Sequence, residues 1–71
     1  MKLLVTVQFG CTTVKDDAGI EYNIDAVITG SHSKSVATTK NGTLEISEGD
    51  RFEAIKISPY TVHLENKYKK S

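Results

Sequence analysis

The chain has 71 residues, nine basic and nine acidic, with a formal net charge of zero. That length makes one small domain, and the charge balance excludes a general polyanion binder, which carries a marked basic excess. The single cysteine, Cys11, excludes an internal disulfide and a CxxC zinc site, and it fits a reducing, cytoplasmic setting.

The opening MKLLVTVQFGC has the outline of a miniature lipoprotein signal. Its apolar run LLVTV is shorter than the roughly 7–15 residues of a signal core, so no signal is expected. The same stretch reads better as a strand. Over residues 2–9, Leu3, Val5, Val7 and Phe9 share one face, and Lys2, Thr6 and Gln8 share the other, the period of a half-buried strand. Gly10 marks a bend, and the β-branched CTTVK, residues 11–15, forms a second short strand.

DDAG, residues 16–19, is a turn: Asp bonds its own backbone and Gly19 supplies a positive φ. IEYNIDAVIT, residues 20–29, then alternates as one strand, with Tyr22, Ile24, Ala26 and Ile28 on its apolar face. KSVATTK, residues 34–40, is a weaker strand. Asn41-Gly42 is the strongest hairpin signal in the chain, and TLEIS follows it. EGD, residues 48–50, is a further turn.

RFEAIKI, residues 51–57, changes phase, with Phe52 and Ala54 on one face and Ile55 and Ile57 on the other. A strand that does this carries a bulge or bends between sheets. Ser58-Pro59-Tyr60 turns the chain, and Val62 and Leu64 share the inner face of a last strand. No helical period appears anywhere. Short strands separated by turn chemistry at this spacing predict an all-β fold. The expected fold is a small antiparallel barrel, SH3-like or OB-like, in a single domain over residues 1–65. A flexible basic tail over 66–71 is expected to follow it.

Catalytic chemistry finds little support. Cys11, His32 and His63 are the only soft ligands, and they lack the paired spacing of a zinc site. A Cys11 nucleophile would need an orienting carboxylate and an oxyanion hole. Asp16-Asp17 and Glu48/Asp50 sit in turns, where environment does not drive two pKa values apart. The expectation is therefore no enzyme, no metal and no cofactor.

The stretch SHSKSVATTKNGT, residues 31–43, holds six hydroxyl side chains and two lysines but no acid. Phosphate binding calls for a helix N-terminus or a glycine-rich nest, which this stretch lacks. Lysines and hydroxyls along a strand are how native sheet edges avoid stray pairing, and such an edge also accepts a chosen partner. The expected site is thus a polar edge strand made by Lys34, Ser35, Ala37, Thr38, Thr39 and Lys40, docking onto a larger protein. Proteins this short with no catalytic constellation are often accessory or phage-encoded factors, and a role of that kind is expected from size alone.

The alternative is a barrel that binds single-stranded nucleic acid, with Lys34, Lys40, Arg51, Lys67 and Lys69 supplying charge and Tyr60 and Tyr68 stacking bases. Phe9, Tyr22 and Phe52 are in phase with the core and are expected inside. A third reading is an oligomer holding a small nucleotide between subunits. A homo-oligomer is compatible with all three, and no membrane partner is expected, since no segment approaches the ~20 apolar residues of a spanning helix.

Overall fold

The computed structural model describes residues 2–68 of the chain. Eight strands run in order: β1 (Lys2–Val7), β2 (Thr13–Asp16), β3 (Glu21–Ile24), β4 (Val27–Gly30), β5 (Lys34–Thr39), β6 (Gly42–Ser47), β7 (Arg51–Ser58) and β8 (Thr61–Lys67). Five of them close a barrel in the order β1-β2-β3-β8-β7, and the other three form a separate sheet in the order β4-β5-β6. The fold is all-β, as the alternation predicts.

Every barrel pair is antiparallel except β3 with β8, which is parallel and short, Asn23↔Thr61 and Ile24↔Val62. A parallel pair needs a long crossover, and the excursion through β4, β5 and β6 supplies it. Numbered among themselves, the barrel strands lie in the order 1-2-3-5-4, with the last closing on the first. This is a small, closed five-stranded barrel, antiparallel but for one pair.

The core explains why these strands close. Val5, Val7, Val14, Tyr22, Ile24, Phe52, Ala54, Val62 and Leu64 are the inward positions of the barrel, and all are buried. Ala37 and Ile46 from the separate sheet join the same cluster. Phe52, 1% exposed, is its largest fully buried side chain. The phase change in β7 is a bulged ladder against β8, with irregularities at Glu53/Ala54 and Lys56/Ser58.

Several local expectations are corrected. Phe9 is 69% exposed, not buried. Strand β1 stops at Val7 and the chain turns through Phe9 and Gly10, whose φ is +95°, so the alternation no longer governs where Phe9 points. Its ring rests against His32, with centroids 5.5 Å apart. Cys11 is buried in this loop, not in a strand, with φ +60°. The single strand expected over 20–29 bends at Asp25 and Ala26 and divides between the barrel and the sheet.

The β5–β6 connection is Lys40-Asn41, with Gly42 already opposite Thr39; Asn41 keeps a negative φ, so the hairpin sits one residue earlier than Asn41-Gly42 implies. Asn66 and Lys67 belong to β8, paired with Glu53 and Phe52; the remainder of the expected tail, beyond Tyr68, lies outside the described residues.

Candidate functional site

The edge strand expected at residues 34–40 is not an edge. Strand β5 is the middle of its sheet, paired with β4 from Val27↔Thr38 to Gly30↔Ser35 and with β6 from Lys34↔Ser47 to Thr39↔Gly42. Its backbone is spent on both sides. Ser35 is 4% exposed and Ala37 fully buried, because small side chains let this strand lie close against the barrel. Lys34, Thr38 and Lys40 are exposed.

Three of the six hydroxyls of the stretch are consumed internally. Ser31 Oγ donates to the Lys34 carbonyl at 3.0 Å and accepts from the Lys34 N–H at 3.2 Å. Ser35 Oγ donates to the Ser31 carbonyl at 2.7 Å. Thr39 Oγ1 donates to the Gly42 carbonyl at 3.1 Å and accepts from the Asn41 N–H at 3.1 Å. These bonds build a loop and a hairpin.

The residues proposed for nucleic acid divide into separate places. Arg51, Lys67 and Tyr68 gather at one end of the β7–β8 hairpin, where the Arg51 guanidinium lies 5.7 Å from the Tyr68 ring centroid. Their charges already have partners: Arg51 meets Asp17 at 3.0 Å and Lys67 meets Asp50 at 3.4 Å. Tyr60, 69% exposed, lies at the opposite end, in the turn between β7 and β8. Lys34 and Lys40 stand at the two ends of β5. Lys69 lies outside the described residues.

What the structure does bring together is a pair of unpaired strand edges. Among the described residues, strand β6 pairs with β5 on one side and with no strand on the other, its outer groups at Ser47 being taken up by Asp50; β8 pairs with β3 only at Thr61 and Val62. Beyond Val62 the outer side of β8 is open among the described residues. A cleft of about 200 Å³ runs between the two, with Gly42, Thr43 and Leu44 on one wall and His63, Leu64, Glu65 and Asn66 on the other. A second, wider cleft continues from Thr39 and His63 to Asp25 and Val27 under the hairpin tip.

The two edges run in the same direction. Gly42 and His63 both line the cleft, and His63 also lines the wider one beside Thr39 and Lys40, close to Gly42 in the chain. At the other end one carboxylate ties the strands together: Asp50 Oδ2 accepts the Ser47 N–H at 3.1 Å and the Lys67 ammonium at 3.4 Å. Ladder alternation decides which backbone groups face the gap. With a two-residue connection, Thr39 and Gly42 form the bonded pair, so the N–H and C=O of Thr43 and Glu45 point away from β5. On β8 the Val62 carbonyl accepts the Asp25 N–H at 2.8 Å, and alternation turns the backbone of Leu64 to the same open side.

Among the described residues, no three His, Cys, Asp or Glu side chains come together as a metal-binding set, and no helix is long and apolar enough to cross a membrane. No protein-family model matches the chain, and no curated protein or solved structure matches it.

Residue types alone marked the wrong strand as an edge. A signal for the free edge was present: in GTLEIS the only charge, Glu45, falls on the exposed face at mid-strand, as on guarded edges. In KSVATT the inner-face positions are Ser35 and Ala37, the small residues of a closely covered strand.

Proposed function

We propose that this chain is a non-catalytic binding module that docks onto a larger protein by pairing one of its own strand edges with an extended segment of that protein. The observation that carries the reading is the free β6 edge lying open beside the unpaired half of β8. Main-chain pairing of this kind supplies affinity through the ladder and specificity through alternate side chains.

The test compares wild type with Thr43→Pro, which removes an outward N–H at an edge position where proline is tolerated. Both are used to capture partners from cell extract, with circular dichroism confirming the fold. Loss of a specific partner in the folded variant is the expected result; equal capture by both proteins would sink the reading.

A second reading has one observation in its favour. Phe9 and Tyr60 are each 69% exposed, on loops that flank the outer face of β2 and β3. Backbone bonds join that row, Gln8 to Thr13 and Asn23 to Tyr60. Exposed rings beside a barrel face are the stacking platforms of single-strand binders. The exposed charges of that face are Lys15 and Glu21, of opposite sign, and this is why the protein-binding reading is preferred. A gel shift whose affinity falls steeply with salt, and which is lost in Phe9→Ala or Tyr60→Ala, would reverse the preference.

A further inference from the structure

The nature of the occupant follows from the geometry of the cleft, if the docking reading above holds. Two strand edges that line one cleft and run in the same direction turn backbone donors and acceptors toward it. A polypeptide backbone satisfies both edges at once; a sugar or a nucleic acid carries no such alternating ladder. A second copy of this chain does not fit the role, because its strands are already built into sheets and would bring whole sheets into a slot walled on both sides.

Side chains along the two edges set the partner's pattern. Leu44 and Leu64 point to the interior side of the cleft, half-buried and buried respectively. Glu45 and Glu65 stand on the solvent side of the same two strands. Glu45 has no ion-pair partner among the described residues, and Glu65 holds only Lys2, at 3.6 Å across exposed surface. Apolar residues that alternate with basic ones therefore complement both faces of the slot.

We infer that the cleft between β6 and β8 receives an extended, alternating apolar–basic peptide segment of a partner protein, inserted antiparallel to both strands. The antiparallel sense gives the better ladder per residue. It places the amino end of the peptide beside Ser47 and Lys67, and its carboxyl end beside Gly42 and His63.

The probe is a blocked Val-Lys-Val-Lys-Val peptide, titrated into isotope-labelled protein and followed by NMR, with Val-Glu-Val-Glu-Val as its control. Saturable shifts at Thr43, Glu45 and Leu64 are expected, with the basic peptide at least about tenfold tighter. The double variant Glu45→Lys with Glu65→Lys should invert that preference. A spin label on the amino end of the peptide should broaden Ser47 and Lys67 more than Gly42 and His63.

Equal binding of both peptides in the cleft overturns the basic partner but leaves strand pairing intact. Broadening at the Gly42 end overturns the polarity. No shift along β6 and β8 with either peptide at millimolar concentration overturns the inference, whereas the docking reading itself falls only if Thr43→Pro captures the same partners as wild type. The comparison of the two peptides on wild type keeps the test decisive even if the double variant does not fold.

Discussion

Asp16 shows how much one side chain does for a turn that the sequence marks only as Asp-Asp-Ala-Gly. Its carboxylate accepts the N–H groups of Ala18 and Ile20, each at 2.9 Å, and the Tyr22 hydroxyl at 3.1 Å. These bonds, led by the one from Ile20, hold its pKa below the ordinary 3.8. The Tyr22 hydroxyl is pushed the other way, by burial first and then by the bond to Asp16. A carboxylate with a depressed folded pKa adds stability that is complete above the unfolded value and disappears as pH falls through the folded one. The stability difference between wild type and Asp16→Asn should therefore be constant above about pH 5 and shrink as pH drops below 3.8. Thermal melts across pH 2–6, both proteins compared, check this; a difference independent of pH would show that charge plays no part.

Glycines at two positions make a second contrast at the same scale. Gly30 has φ +138°, and a Cβ there would meet the Lys34 carbonyl oxygen and the Ser35 Cα at 2.7 Å, both backbone-bound. Gly19 has φ +84° and open space around it. Gly30→Ala suffers both strain and collision, so it should cost more than the ~1–2 kcal/mol of left-handed strain expected for Gly19→Ala. Urea titrations of the two variants decide it. Equal losses would mean that the Ser31–Lys34 loop moves aside freely.

At the scale of the element, position in the sheet outweighs composition. KSVATT looks like an edge because it is polar, yet it is the central strand of its sheet. Thr38 and Thr43 lie opposite each other in the β5–β6 ladder, and their backbones face opposite ways: Thr38 toward β4, Thr43 toward the open cleft. Thr38→Pro should break the β4–β5 ladder and unfold the sheet, whereas Thr43→Pro should leave the melting temperature nearly unchanged. A Thr38→Pro variant that melts like wild type would return β5 to the edge and undo the candidate site.

The alternation in residues 3–7, 21–24 and 61–64 made the barrel strands legible in sequence, since a one-residue slip there would turn buried valines to solvent. The turn at residues 16–19 and the bulge in β7 were legible for the same kind of reason, a local backbone requirement written in local residues. Strand order was not legible. Nothing in IEYNIDAVIT marks that its two halves belong to different sheets, and no local pattern announces that β3 meets β8 across the whole second half of the chain. The candidate site lies between two strands brought together by that long-range order, so it was hidden for the same reason.

At the scale of the molecule the barrel and the three-stranded sheet share one core. Ala37 and Ile46 of the sheet are fully buried in the same cluster as Val5, Phe52 and Leu64 of the barrel. Backbone bonds reinforce the union: the Val7 N–H donates to the Asp50 carbonyl at 2.8 Å, and the Gly49 N–H donates to the Val7 carbonyl at 2.9 Å. A domain of this size has a total stability of only about 4–11 kcal/mol at ~0.05–0.15 kcal/mol per residue. Ile46→Ala removes a fully buried side chain and should cost roughly 2–5 kcal/mol, a large part of that total. Because the cluster is continuous, the loss should reach both sheets equally. In amide exchange, protection in β1 should fall by as much as protection in β5, and denaturation should stay a single transition. If the sheet loosens while the barrel keeps its protection, the two open independently, and the cleft between β6 and β8 would then lie on a moving boundary and not between two fixed walls.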